Sequence, residues 1–179
     1  EDYLTKTTGI NYVPLDKKRD AKIIEEIEDF MHKLFPNKDI YRYMWDHLAS
    51  VLIGSTLNQT FNMYVGHGQN GKTVLVELME MVLGNYKEIV PLSLITSQRQ
   101  KIGGLSPELA KLQGVRYAVM NEPTDGDRIM EGPMKELTGG DPITGRALYM
   151  PPVTFRPQFK LVVCSNTLME IKSRDHGTW

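Results

Sequence analysis

Eight consecutive residues, Gly66-His67-Gly68-Gln69-Asn70-Gly71-Lys72-Thr73, satisfy every fixed position of the phosphate-cradling pattern G-x-x-x-x-G-K-S/T. The pattern demands a strand before it and a helix after it, because it works by turning backbone N–H groups inward at the positive end of a helix. Both flanks fit. Phe61 to Val65 is short and apolar enough for a buried strand, and Val74 to Leu83 carries helix formers up to the stop signal Gly84. In that setting the loop would wrap the phosphates of ATP, Lys72 would reach the β- and γ-phosphates, and Thr73 would ligate Mg²⁺. The competing reading is a glycine turn that does no more than cap a core helix.

Composition narrows the partners. The 179 residues suffice for one domain with a proper core. With 21 Lys and Arg against 22 Asp and Glu, the net charge of −1 supplies no bulk positive field. Any contact with DNA has to come from local basic residues or from repeating the subunit around a ring. The lone Cys164 rules out an internal disulfide framework and reads as a small buried residue in a reducing compartment, and the four histidines lack metal-ligand spacing. No apolar run reaches membrane-spanning length, and Glu1-Asp2-Tyr3 does not open a signal peptide, so a soluble, intracellular chain without membrane contact is expected. The missing initiator Met and the ending Gly177-Thr178-Trp179 read as a piece of something longer.

Along the chain, Ile23, Ile24, Ile27, Phe30, Met31, Leu34 and Phe35 recur at helical spacing and predict a helix over 22–35 that stops at Pro36-Asn37. Asp39 is the expected cap of a second helix, running through Tyr43, Met44, His47 and Leu48 to Gly54. His47 and Trp45 read as packing residues, and Met79 and Met81 as core filler. Beyond the loop, the pattern predicts a short strand over 88–90, a loop over 97–104, a helix from Ser106-Pro107 to Gly114, and a buried strand over 115–121. A polar loop over 124–128 and a helix over 131–137 follow. Residues 143–149 and 153–155 read as an irregular hairpin joined through Pro151-Pro152, and 159–165 as a strongly β-forming run.

Helices alternating with buried strands define an α/β nucleotide-binding fold of the P-loop kind, with a mostly parallel central sheet flanked by helices. Residues 1–57 read as an N-terminal helical segment and 58–179 as the core, cut short at its C-terminal end. Polar residues at strand ends are where such sheets keep their chemistry. Glu122 follows the strand over 115–121, as a base or water-orienting residue in ATP hydrolysis should. Asn166 follows the run over 159–165, where its amide could sense a γ-phosphate.

The loop ending Asn70-Gly71-Lys72-Thr73, the strand ending Glu122-Pro123, the stretch Lys135-Glu136-Leu137-Thr138-Gly139-Gly140-Asp141, the segment Phe159 to Asn166 and the tail Asp175-His176-Gly177-Thr178-Trp179 occur in an order that resembles the superfamily 3 helicases. The likeness is to the poxvirus-type primase-helicases of large DNA viruses and related phages, and covers nearly everything beyond residue 38. It implies an AAA+ ATPase core, a homo-oligomeric, hexameric ring, translocation on single-stranded DNA during viral genome replication, and a primase module in the same polypeptide. By this resemblance Lys72, Glu122 and Asn166 are catalytic, Gly66 through Thr73 bind ATP, and Thr73 and Glu122 hold Mg²⁺. Lys135 and Arg146 then become the candidates for DNA contact.

Two departures stand out. Where many relatives carry a second acidic residue before the catalytic one, this chain has Asn121, which supplies no negative charge; Asp125 and Asp127 lie near enough in sequence to contribute. An arginine finger is expected just beyond Trp179, with Arg174 as a substitute within the chain. Two other functions share the loop: a small-molecule or nucleoside kinase, and a nucleotide-gated assembly module that does no work on DNA.

Overall fold

The computed structural model of the chain describes residues 5–97, 105–121, 123 and 126–172. Strands β1 (Phe61–Val65), β2 (Lys87–Ile89), β3 (Tyr117–Asn121) and the later strand Lys160–Ser165 form one parallel sheet. Numbered in chain order after β4 (Arg128–Met130), β5 (Ile143–Gly145) and β6 (Val153–Phe155), that later strand is β7, and the sheet order is β1-β7-β3-β2. The two central strands are the most apolar: Tyr117 to Met120 and Leu161 to Val163 have no exposed surface. Near-continuous hydrophobic runs of this kind are what a parallel sheet covered on both faces requires.

Helices α1 (Ala21–Leu34), α2 (Lys38–Ser50) and α3 (Lys72–Leu83) cover one face. Met31, Met44, Leu48, Leu75, Met79 and Leu83 pack there with Tyr117, Val119 and Val162. The N-terminal helix pair is thus built into the same core as the helix that follows the glycine loop. The opposite face is covered by α4 (Ser93–Thr96), α5 (Pro107–Lys111) and α6 (Glu131–Thr138), through Ile95, Leu109, Met134 and Leu137. A parallel pair, β4 with β8 (Glu170–Lys172), and the antiparallel hairpin β5–β6 complete the described elements.

Several expectations are corrected. The second helix is capped by Asn37, whose side-chain oxygen accepts from the backbone N–H groups of Asp39 and Ile40, so Asp39 sits inside the first turn. That helix ends at Ser50, with turns carrying the chain on to Gly54. Strand β5 stops at Gly145, and 146–152 is a connection, because Pro151-Pro152 cannot supply ladder N–H groups. The elements α4, β4 and β8 have no periodic signature; each is too short to show one. Met81 is exposed on the outer side of α3, whereas Met79 is buried.

Residues 5–9 lie across the end of α3. The Asn85 N–H donates to the Thr7 carbonyl (3.0 Å), the Lys6 ammonium to the Asn85 carbonyl (3.0 Å) and the Tyr86 hydroxyl to the Lys6 carbonyl (3.2 Å). No helix among the described residues is long and apolar enough to cross a membrane.

Candidate functional site

The glycine loop leaves the tip of β1 and enters α3. The β1–β7 ladder continues one residue into it, with the Gly66 N–H donating to the Ser165 carbonyl (3.2 Å). Reversal of the chain takes place through two left-handed residues, Gln69 (φ +63°) and Gly71 (φ +81°). Glycine suits that conformation; for Gln it is uncommon. Gly66 makes room for Asn70, since a Cβ there would lie 1.7 Å from the Asn70 amide nitrogen and would displace that side chain. Asn70 folds back across the loop and closes it on itself.

The ammonium of Lys72, the first residue of α3, donates to the Asn70 side-chain oxygen (3.0 Å), to the Asn166 side-chain oxygen (3.4 Å) and to the Gly66 carbonyl. Asn166 arrives there because β7 pairs with β1 on one side and β3 on the other, in a register that sets Cys164 between Tyr64 and Asn121. Just past the strand, the Ser165 hydroxyl donates to the Thr167 carbonyl (2.6 Å) and accepts from the Thr167 N–H (3.2 Å), which fixes the turn carrying Asn166.

Together the loop, the first turn of α3 and the tips of β3 and β7 line an open cleft of about 980 Å³. Its described lining residues include Lys72, Thr73, Asn121, Cys164 and Asn166, with one cation and no carboxylate among them. Backbone N–H groups at a helix start, a hydroxyl and an ammonium held by neutral oxygens form a donor set for a polyanion. They do not suit a bare cation, and the described residues contain no cluster of His, Cys, Asp or Glu placed to hold a metal ion. Mg²⁺ would fit there as the companion of phosphate oxygens, with the Thr73 hydroxyl as its protein ligand. Burial pushes the half-buried Cys164 thiol up from its ordinary value, against the opposing pull of the Lys72 charge.

Of the residues singled out from the sequence, Gly68 through Thr73 and Asn166 meet at this cleft, and Gly66 closes the loop beside it. His67 is exposed on the loop. Glu122, Asp125, Arg174 and the tail Asp175-His176-Gly177-Thr178-Trp179 lie outside the described residues, as does most of the loop expected over 97–104. Lys135 is on α6, where its ammonium pairs with the Glu131 carboxylate one turn away. Arg146 is exposed at the end of β5, with its N–H donating to the Ser106 hydroxyl (3.1 Å) and its carbonyl accepting from the Ser106 N–H (2.9 Å).

Sequence reasoning missed two features. The hairpin connection presents Leu148, Tyr149 and Met150 to solvent, with Tyr149 93% exposed at φ +59°. An apolar run abutting Pro151-Pro152 was the available signal. Beneath the cleft, Tyr117 donates to the Tyr64 hydroxyl (3.3 Å), and the Tyr64 hydroxyl meets His47 Nε2 (2.8 Å). Burial first, and the Lys160 charge second, drive His47 down to about 4. Burial likewise raises Tyr64 and Tyr117.

A parallel α/β sheet with a glycine–lysine loop at its carboxyl edge defines the class of fold. Residues 64–178 match the family of unknown function designated DUF5906, and the chain belongs to that family. Among curated relatives, it is 37% identical over 179 residues to a protein of Acanthamoeba polyphaga mimivirus named a "putative helicase", matching 100% of this chain and 18% of that protein. It is 34% identical over 154 residues to a "putative helicase" of Frog virus 3, covering 84% of this chain and 16% of the relative. A "putative primase" of African swine fever virus is 26% identical over 175 residues, covering 96% and 18%. The chain therefore spans under a fifth of the length of these relatives. Among solved structures, the apo C-terminal region of NrS-1 superposes with a TM-score of 0.60 at 15% identity, covering 85% of this chain and 36% of that one. That likeness shows a shared fold.

Proposed function

We propose that this chain is the ATP-hydrolysing core of a replicative DNA helicase of the superfamily 3, AAA+ type. The observation that carries the reading is the meeting of Lys72 and Asn166, from two different sequence motifs, over the cleft that the glycine loop and the tips of β3 and β7 line. The names of the viral relatives, helicase and primase, point the same way.

On this reading the loop amides and Lys72 hold the phosphates, and the Asn166 amide orients the attacking water beside the γ-phosphate. Glu122, next in sequence after the last residue of β3, serves as the base. Mg²⁺, when bound, would neutralise charge developing on the phosphate oxygens, with Thr73 and Glu122 as its protein-side partners. Asn121 leaves the metal to depend more on these two than on a second acid.

DNA would be engaged by the hairpin: Arg146 for phosphate, Tyr149 for base stacking. Lys135, neutralised by Glu131, is the weaker candidate. A hexameric homo-oligomeric ring would bring a neighbour's arginine to each site, and a primase module would share the full polypeptide. A finger of that kind contributes on the order of 10³ to 10⁵ in turnover, so hydrolysis should rise as the ring assembles.

The test is phosphate release with and without single-stranded DNA, with the mass of the assembly recorded. A motor loses activity with Lys72→Ala and with Glu122→Gln, the latter retaining nucleotide. ADP formed without free phosphate when acceptors are supplied would identify a kinase instead. Function intact in Glu122→Gln but abolished in Lys72→Ala would identify a nucleotide-gated assembly module.

A further inference from the structure

We infer that Leu34 and Phe30, on α1, are positioning residues for the glycine loop, so that the nucleotide site extends to a helix well ahead of the motif in the chain. This rests on the nucleotide reading above. Gly71 adopts the left-handed conformation at the cap of α3, and its carbonyl accepts the Leu75 N–H (3.0 Å). The space where a side chain at Gly71 would stand is taken by Leu34 Cδ1, 3.0 Å from the ideal Cβ position, with Phe30 Cε2 at 3.8 Å.

His67 to Asn70 are exposed and receive little packing of their own. What holds the loop is the Asn70 side chain across Gly66 at one end and the α1 wall behind Gly71 at the other. That wall is firm because Met31, on the same helix, is wholly buried against the sheet-side core with Leu75 and Met79. A loop held rigid in the binding geometry loses less conformational entropy when phosphate arrives. Lys72 and Asn166 are untouched by α1 truncation, so the effect falls on uniform binding and moves KM more than kcat.

The experiment measures the Kd of MgATP by calorimetry, and KM and kcat by phosphate release, on the chain and its point variants. Leu34→Ala is expected to weaken MgATP about tenfold, a change of about 1.4 kcal/mol, and Phe30→Leu about threefold, with kcat within about twofold in both. Leu34→Met restores the wall and the affinity. Leu112→Ala, a truncation in the core on the opposite face of the sheet, lowers the melting temperature but leaves Kd within about twofold, since it destabilises the fold without loosening the wall behind Gly71. If Leu34→Ala and Phe30→Leu bind as tightly as the parent while Lys72→Ala loses binding, the inference is overturned and the nucleotide reading survives. Equal weakening by Leu112→Ala would also overturn it, as general loosening. Absence of Lys72-dependent binding in the parent chain would remove the nucleotide reading and this inference together.

Discussion

The ammonium of Lys72 lies 3.4 Å from the side-chain oxygen of Asn166, although 94 residues separate them in the chain. The contact exists because β7 is inserted between the loop-bearing strand β1 and β3, which places its tip beside the first turn of α3. Asn166 is neutral, so it orients the lysine without cancelling its charge.

Replacing Asn166 by Ala should therefore leave MgATP affinity within severalfold and lower turnover on the order of 10²-fold, the usual loss when one transition-state donor is removed. Asn166→Asp should behave differently. A carboxylate at that place pairs with Lys72 and repels triphosphate, so affinity itself falls. Calorimetric titration beside phosphate-release kinetics separates the two outcomes.

Tyr149 projects into solvent at the hairpin tip from a left-handed backbone conformation. If the hairpin engages single-stranded DNA by stacking, Tyr149→Ala should weaken binding by about 1–3 kcal/mol, while Tyr149→Phe retains most of it. Fluorescence anisotropy of a labelled oligonucleotide at fixed salt checks this, and ATP affinity should stay unchanged in both variants.

His47 makes stability depend on pH. Its Nε2 is hydrogen-bonded to the Tyr64 hydroxyl, which also accepts from Tyr117, and burial beside Tyr43, which stacks on the ring, and the Lys160 charge keep it neutral. Its folded value of about 4 lies below the ordinary 6.5. The unfolded chain consequently binds the proton first as pH falls, and stability is full above about 6.5 and declines toward 4, by an amount on the order of 3 kcal/mol. Urea unfolding at pH 7.5, 6.0 and 4.5 should show a decline in the parent that is shallower in His47→Gln.

Two glycines should respond differently to alanine. At Gly84, φ is +49° and a Cβ would lie 2.4 Å from the Thr8 carbonyl oxygen, so Gly84→Ala should cost about 1–3 kcal/mol and speed hydrogen exchange at the Asn85 N–H, which bonds Thr7. Gly132, in the first turn of α6, meets nothing within 4 Å. Gly132→Ala should be near neutral, within about 0.5 kcal/mol, because the lower entropy of the unfolded chain is offset by crowding of the new Cβ against the Pro133 ring that follows it. Thermal unfolding of the two variants decides it.

Much of the molecule was legible because local signals were strong. The loop from Gly66 to Thr73, strands β1, β3 and β7, and helices α1, α3 and α6 all follow from glycine spacing and apolar periodicity. β4 and β8 were not legible: three residues each, they become strands because Arg128 to Met130 finds Glu170 to Lys172 across the fold. The match of Lys135 with Glu131, by contrast, is implicit in the helix expected over 131–137, since residues four apart stand one turn apart once the helix forms.

By itself the amino-acid sequence determined a strand, a phosphate-type loop and a helix in succession, and two further buried strands ending in polar residues, since backbone geometry and burial act over a few neighbouring positions. Tertiary structure alone decided that Asn166 reaches Lys72, that Leu34 stands behind Gly71, and that His47 is buried against Tyr64. Those three relations depend on strand order and on which helix covers which face, and a parallel sheet settles both only when segments distant in the chain compete to bury the same surface.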